Sequence, residues 1–364
     1  MNMQQATLSL ALDAGLPILL WGAPGVGKTA QVRQVALFRG WPILEVIASR
    51  RSPEDFGGWP TPGPDGLRFE PGAGFRDFAA ECTVAGGGVL FLDELSCAPP
   101  AVQAALLTLI LDKRIGDWSL PACVRVVAAA NPPDMAAGGW DLAAPAANRL
   151  LHVEWPMPEV GAWTDWLLGQ SVKDDDTASW AGEAGAKARG VVAGYLQRVP
   201  SQLFALPADD VARGKAWASP RSWEAAGRAL AAGIACGAPD AVVETALTGC
   251  LGSGIGLGFA SWVREQDLPD PEAVLADPDG WQVNRARADR TMATLAAVVA
   301  AVLLRPTSER FAAAWTVLGR ASDAGQSGVA ATAGRSLAAI SKVKFPGVRY
   351  AAADKFAALL RAAA

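Results

Sequence analysis

Histidine is almost missing from this sequence of 364 residues, which contains His152 and no other. Neither a metal site made of several imidazoles nor a Ser-His-Asp triad has support, and packing at the end of a strand is the simpler role for a lone histidine. The five cysteines are an odd number, widely spaced and without a C-x-x-C pair. They indicate neither a disulfide framework nor a zinc site, and we expect buried, reduced thiols.

Long apolar runs are missing as well. Apolar residues make up 51% of the chain, yet no run of roughly 18 residues is free of charges and helix breakers. The start, "MNMQQATLSLALDAG", has neither a basic region nor a small-residue cleavage site, so we expect a cytoplasmic protein without membrane insertion. The net charge of −4 provides no general attraction to nucleic acid, which is therefore not the expected partner.

Short apolar runs alternate with helical patterns over residues 1–157. This alternation predicts an α/β domain, with a parallel sheet covered by helices on both faces. A connection rich in glycine and proline, at about residues 48–75, is too long for an ordinary loop and is interpreted as a functional insertion. The predicted strands are Ile18–Trp21, Ile43–Ile47, Gly88–Leu92, Val124–Ala129 and Leu151–Val153.

The remainder of the chain has a different pattern. Alanine-rich amphipathic segments, broken by proline and glycine, predict helices throughout. The Pro/Asp-rich stretch Asp267–Gly280 divides this part, so we expect one helical domain at residues 158–266 and a second helical region at residues 267–364.

One motif carries recognisable chemistry, the octapeptide "GAPGVGKT" between the first predicted strand and a helix. It fits the phosphate-binding pattern G-x-x-x-x-G-K-[ST], in which backbone N–H groups surround the phosphates of a nucleotide. Lys28 would reach the β- and γ-phosphates, and Thr29 would hold Mg²⁺. An ordinary glycine-rich turn is the alternative. The predicted nucleotide-binding residues here are Gly22, Ala23, Pro24, Gly25, Val26, Gly27, Lys28 and Thr29.

Polar residues follow two later strands, at the edge where parallel sheets bind ligands. Asp93 and Glu94 come directly after "GGGVLFL". Asp93 would bind magnesium, directly or through water, and Glu94 would polarise the attacking water. Asn131, after "VRVVAAA", would orient the same water. Taken alone, the acidic pair could be a helix cap and the asparagine a plain turn residue.

Together these motifs resemble an AAA+ ATPase, and more narrowly the MoxR-like group. The resemblance covers residues 1–265 and continues in "PPAVQAALLTLILDKRIGDWSLPACVRVVAAANPPD", "AAPAANRLLHVEW" and "ASPRSWEAA". In its terms Gly22–Thr29 is Walker A, Val89–Glu94 is Walker B and Asn131 is sensor 1. It implies a P-loop core with strand order 5-1-4-3-2, then an all-α lid and a C-terminal helical region, with ATP and Mg²⁺ as ligands.

The resemblance also implies a ring, expected to be hexameric, in which each ATP lies between subunits. Arg149 of "ANRL" matches the arginine finger that completes the neighbour's site, although Leu150 stands where family members often carry Phe. Arg221 of "SPRSW" matches sensor 2 on a lid helix that Ser219-Pro220 would start. An arginine at a helix end, without a catalytic role, is the alternative at both positions.

The insertion faces the ring's centre in the group that this chain resembles. Within it "DGLRFE" could form a hairpin, and Phe56, Trp59 and Phe69 could contact a substrate chain. Packing of these aromatic rings onto their own domain is the alternative. Arg50 and Arg51 raise the same choice between a partner contact and a solvated surface, and solvation is the expectation.

The expected function is a ring-forming ATPase that remodels a protein partner. The resemblance implies a client such as a von Willebrand A domain protein. A nucleic-acid-directed motor or loader is the alternative, and the acidic balance without a basic cluster counts against it. A small-molecule kinase with a P-loop would need neither Arg149 from a second subunit nor Arg221 on a lid helix.

Overall fold

The computed structural model describes residues 3–64, 66–133, 135, 139–142, 147–169, 177–265, 268–345, 347, 348, 350 and 353. The chain divides into two compact units, Met1–Met157 and Pro158–Ala364. Residues 266 and 267, where the sequence predicts a further boundary, lie outside the described residues.

The first unit alternates strands and helices, and its principal sheet has five strands. The strands of this sheet are β1 (Ile18–Trp21), β2 (Ile43–Ile47), β5 (Gly88–Asp93), β8 (Val124–Ala130) and β9 (Leu151–Glu154). Two short hairpins are formed by β3 (Trp59–Gly63) with β4 (Gly66–Glu70), and by β6 (Arg114–Ile115) with β7 (Trp118–Ser119). The helices are α1 (Met3–Ala14), α2 (Lys28–Phe38), α3 (Pro53–Gly57), α4 (Ala73–Ala85) and α5 (Pro100–Asp112).

The five strands of the principal sheet are parallel and lie in the order β2-β5-β8-β1-β9. If these five strands are numbered 1 to 5 in chain order and the sheet is read from β9, the strand order is 5-1-4-3-2, as predicted. Each predicted strand agrees with the observed one to within a residue. The α/β fold class is therefore confirmed, and β1 lies between β8 and β9, one strand from the edge.

Both faces of the sheet are covered, because side chains alternate between two cores along each strand. Leu90 and Leu92 of β5 face a core that α4 and α5 complete with Phe75, Phe78 and Leu106. On the other face, Val89 and Phe91 join a core formed with α1 and α2, whose buried members include Leu8, Leu12 and Val32. Burial on both faces explains why β1 and β5 are nearly continuous apolar runs.

The insertion contains α3 and the hairpin of β3 and β4. Phe56 packs into the core and is 1% exposed, so for this ring the alternative of packing onto its own domain is correct. Trp59 and Phe69 remain 49% and 45% exposed, on the hairpin. Arg50 and Arg51 are exposed, in agreement with the expected solvation.

The cysteines only partly match the expectation of buried thiols. All five are free, but Cys82 alone is buried, three are intermediate and Cys236 is exposed. Burial raises the pKa of the Cys82 thiol to about 12. That thiol therefore stays protonated and unreactive at neutral pH, whereas Cys236 is open to reagents.

The second unit is helical in its described residues, and none of the helices described in the chain is both long and apolar enough to cross a bilayer. The α-helices are α6 (Val160–Leu168), α7 (Ala178–Ala181), α8 (Glu183–Arg198), α9 (Asp210–Arg213), α10 (Pro220–Cys236), α11 (Asp240–Leu251), α12 (Ser253–Glu265), α13 (Pro271–Ala276), α14 (Ala288–Leu304), α15 (Ser308–Asp323) and α16 (Ser327–Lys344).

Helices α8 and α14 bring the two predicted helical regions together. Gly190 and Gly194 of α8 face Ala297 and Ala293 of α14 so closely that an added Cβ would lie 2.5 Å from the Ala297 nitrogen and 2.7 Å from the Ala293 Cβ. Small residues on both helices thus permit backbone contact. The division between residues 158–266 and 267–364 stays a prediction.

Candidate nucleotide-binding site

The loop Gly22–Thr29 turns sharply between β1 and α2. Gly25 and Gly27 have φ angles of 78° and 93°, a region that residues with a Cβ rarely adopt. At the start of the loop, the Gly22 N–H donates to the Ala130 carbonyl oxygen of β8 over 3.2 Å. The loop therefore rises from the carboxyl ends of β1 and β8, as the nucleotide-binding motif requires.

Gly22 has a different role from the other two glycines. A Cβ at this position would lie 2.6 Å from the Trp155 carbonyl oxygen, which follows β9. The side chain of Val26 is buried in the core beneath the loop, 5% exposed. Gly22 thus allows the loop to pack tightly against the domain, and Val26 anchors it, while Gly25 and Gly27 permit its curvature.

Helix α2 begins at Lys28 with Gly27 as its N-cap, so no side chain caps it. Its first turn contains no acidic residue. Because the first N–H groups of a helix have no partner within the helix, they present partial positive charge at the loop. This end of α2 suits a phosphate group.

Lys28 is buried, with 7% of the residue exposed, and its ammonium contacts the backbone of the loop. Its Nζ donates to the carbonyl oxygens of Gly22 and Ala23 over 2.6 and 3.2 Å, and to Oδ1 of Asn131 over 2.9 Å. Asn131 follows β8 directly. Lys28 and Asn131, which the sequence predicts as site residues from two separate motifs, are therefore in contact in the structure.

Thr29 and Asp93 form the second contact between distant parts of the chain. The Thr29 hydroxyl donates to Oδ2 of Asp93 over 2.9 Å, and Oδ1 of Asp93 accepts the Glu94 N–H over 2.8 Å. A hydroxyl and a carboxylate are oxygen ligands of the kind that Mg²⁺ prefers. The residues present therefore fit a nucleotide-bound Mg²⁺.

Glu94 has a φ of 56°, one of two positive values among the described residues other than glycine. This left-handed conformation costs about 1 kcal/mol and turns the chain abruptly after β5. The exposed carboxylate accepts a hydrogen bond from the Ser49 hydroxyl, 2.5 Å from Oε2. Such a residue, found beside a nucleotide loop, is typical of a strained functional position.

Ser49 is a site residue that the sequence reasoning missed. It lies in the 3-10 turn Ala48–Arg50, which follows β2, the strand paired with β5 in the sheet. A polar residue two positions after β2 could have indicated this role, because the carboxyl ends of parallel strands lie at one edge of the sheet. To connect Ser49 with Glu94, however, one must know that β2 lies beside β5 in the sheet.

The two predicted arginines are exposed. Arg149 lies in the turn that precedes β9. Arg221 belongs to the second unit, in the first turn of α10. There Ser219 and Ser222 form a capping box and Pro220 is the first helical residue, so the predicted start of this helix is confirmed. The catalytic roles of both arginines stay predictions.

The fold and the site define a nucleotide-binding domain of the P-loop class. Residues 17–149 match the family model described as the AAA domain of the dynein-related subfamily. The matched stretch begins one residue before β1 and ends at Arg149, so it includes the loop, Asp93, Glu94 and Asn131. Most of the first unit is therefore similar to an AAA domain.

Three known proteins resemble this chain at 29% identity or less. Midasin from Giardia intestinalis is 29% identical over an alignment of 178 residues, and the match covers 47% of this chain and 4% of that protein. The chain thus spans a small fraction of the length of this curated relative. A proposed ATPase from Cytophaga hutchinsonii is 16% identical over 67% of this chain and 79% of that one, with a TM-score of 0.36. NtrX from Brucella abortus in complex with ADP is 15% identical to this chain. That match covers 89% of this chain and 68% of the other, with a TM-score of 0.34.

Proposed function

We propose that this protein is a ring-forming ATPase of the MoxR-like group, which uses ATP hydrolysis to remodel a protein partner. The observation that carries the proposal is the register of β9 on β1. Ile18 pairs with Leu151 and Trp21 with Glu154. The chain that follows Arg149 therefore enters the sheet at the amino end of β1, about 10 Å along the strands from the carboxyl end, where the phosphate loop begins.

This separation is the reason to assign Arg149 to a neighbouring subunit's site. Arg149 is an exposed residue, and an arginine that stabilises a transferred phosphoryl group must touch that group. A ring in which each subunit offers Arg149 to the next satisfies both conditions. The sequence resemblance supports the same arrangement and names Arg221 as the sensor 2 residue.

Each site residue then has a defined task in hydrolysis. Lys28 would neutralise charge on the β- and γ-phosphates, and Asn131, already bonded to Lys28, would orient the attacking water. Glu94 would take the proton of that water as general base. Thr29 and Asp93 would hold Mg²⁺, which offsets phosphate charge when it is bound.

A protein client is proposed rather than nucleic acid. The hairpin of β3 and β4 presents Trp59, Leu67 and Phe69 with 45% or more of each residue exposed, and apolar side chains of this kind suit contact with a polypeptide. The chain carries four more acidic than basic side chains, which disfavours a phosphate backbone. A von Willebrand A domain protein is the client class that the resemblance suggests.

Mixing two inactive variants tests the shared site. Arg149→Ala keeps an intact ATP site, whereas Glu94→Gln keeps Arg149 but has lost the base. Together they should restore hydrolysis to well above the sum of their separate rates, because a Glu94→Gln subunit supplies the missing arginine. No restoration at any protein concentration would contradict the ring proposal.

A second measurement tests the client class. Single-stranded and duplex DNA are added to the ATPase assay at physiological salt. We expect little change in turnover, whereas strong stimulation would favour the nucleic-acid-directed alternative. The Glu94→Gln variant with bound ATP should retain its protein client longest. This variant is therefore the one to use for isolating the client.

A further inference from the structure

The chain's single histidine joins the end of β1 to the turn that carries Arg149. The Trp21 indole Nε1 donates to Nδ1 of His152 over 2.8 Å, and the two rings lie nearly parallel, with an interplanar angle of 20°. On its other side the imidazole Nε2 is 2.7 Å from the Ala147 carbonyl oxygen. His152 therefore bridges β1 and the turn that precedes β9.

These two partners determine where the proton on the imidazole lies. An indole N–H can only donate, so Nδ1 of His152 must accept. A backbone carbonyl can only accept, so Nε2 must donate. The ring is therefore the neutral tautomer with its proton on Nε2, and it can make both hydrogen bonds only in that form.

The two partners of His152, Trp21 and Ala147, lie beside two functionally important segments. Trp21 is the last residue of β1, immediately before the phosphate loop. Ala147 begins the turn that carries Arg149, and its carbonyl oxygen also accepts the Leu150 N–H over 3.4 Å. The imidazole thus binds the same atom that closes the Arg149 turn.

We infer that His152 is a positioning residue for Arg149. Through Nε2 it holds the Arg149 turn against the sheet, so that Arg149, an exposed residue, is presented to the neighbouring subunit in one orientation. The bond to Trp21 holds the ring itself in place. This inference rests on the proposed function, because it requires that Arg149 act on a neighbour's nucleotide.

Two amide substitutions separate the two hydrogen bonds. His152→Gln places an amide near the position of Nε2 and can still donate to the Ala147 carbonyl oxygen. His152→Asn places its amide near Nδ1, where it can accept from Trp21 but cannot reach Ala147. If His152 only fills space, the two variants should behave alike. If it positions the turn through Nε2, only His152→Gln, with the longer amide side chain, should work.

The test uses the mixing assay with the full chain. Donor subunits carry Glu94→Gln alone, with His152→Gln, or with His152→Asn, and acceptor subunits carry Arg149→Ala. We expect the His152→Gln donor to restore hydrolysis nearly as well as the Glu94→Gln donor. The His152→Asn donor should restore it about tenfold to a hundredfold less, since misplacement of a catalytic group by about 1 Å has an effect of that size.

Placing His152→Asn in the acceptor beside Arg149→Ala is the matched control. Because the arginine is already missing there, we expect no further loss of hydrolysis and an unchanged ATP affinity. A loss in the acceptor, or full restoration by the His152→Asn donor, would overturn the inference and leave the shared site intact. If the simple Glu94→Gln donor fails to restore hydrolysis, the proposed function itself fails, and the inference with it.

Discussion

The Thr29 hydroxyl donates a hydrogen bond to the Asp93 carboxylate over 2.9 Å, although the two residues are 64 positions apart. The contact joins the first turn of α2 to the end of β5. Thr29→Val keeps the shape of the side chain and removes the oxygen that would bind Mg²⁺. We expect at least about tenfold weaker activation by Mg²⁺ in an ATPase titration. Thr83→Val in α4, whose hydroxyl donates to Ala79, is the matched control and should titrate normally.

Replacing the proposed base should separate binding from hydrolysis. Glu94→Gln keeps the shape of the side chain and removes its negative charge. We expect nearly normal ATP affinity and hydrolysis reduced about a hundredfold or more. Equilibrium binding of a fluorescent ATP analogue and steady-state turnover measure the two quantities. Normal turnover in this variant would remove Glu94 from its assigned role.

Ser49 orients the carboxylate of Glu94, so Ser49→Ala should lower kcat with little effect on the KM for ATP. We expect a decrease of about three- to tenfold, which corresponds to the loss of one hydrogen bond of about 1 kcal/mol. Ser49→Thr, which retains a hydroxyl, is the conservative control. Equal losses in both variants would indicate that the hydroxyl does not act through Glu94.

Gly22→Ala tests the packing of the loop rather than its chemistry. The new Cβ would lie 2.6 Å from the Trp155 carbonyl oxygen, an atom that can move only with the backbone. We expect destabilisation by about 1–3 kcal/mol and a lower melting temperature by calorimetry. Gly74→Ala in α4 adds its Cβ to open space and should leave the melting temperature equal or higher. Equal effects of the two substitutions would contradict this account.

Asp289 should make the second unit sensitive to acid. Hydrogen bonds from Arg287, and then from the Trp262 indole, hold the pKa of its carboxyl well below the usual range. A depressed pKa adds stability above the ordinary pKa of aspartate, about 3.9, which is lost as pH falls through the folded value. Asp289→Asn should therefore cost about 1–3 kcal/mol at pH 7.

Calorimetry as a function of pH measures this effect. The difference in melting temperature between the natural chain and Asp289→Asn should be largest near pH 7 and shrink below about pH 4. Asp210→Asn, at a side chain that is 93% exposed, should show neither change. A difference independent of pH would mean that the charge of Asp289 contributes nothing.

Much of the first unit could be predicted because its signals are local. Apolar runs marked the five strands to within a residue, and the loop motif stood between a strand and a helix. Ser219 and Pro220 likewise marked the start of α10, because capping involves neighbours along the chain. The insertion was less readable, since nothing local distinguished the buried Phe56 from the exposed Phe69.

The sequence by itself determined which groups could bind and hydrolyse a nucleotide: the ammonium of Lys28, the hydroxyl of Thr29 and the carboxylates of Asp93 and Glu94. Only the tertiary structure decided how they meet. Parallel pairing placed β2, β5 and β8 side by side, which brought Ser49 to Glu94 and Asn131 to Lys28. The register of β9 placed Arg149 away from its own loop and put the lone His152 between Trp21 and Ala147. Residue types depend on the chain alone, whereas contacts between distant residues depend on strand order and register, which are set by burial on both faces of the sheet.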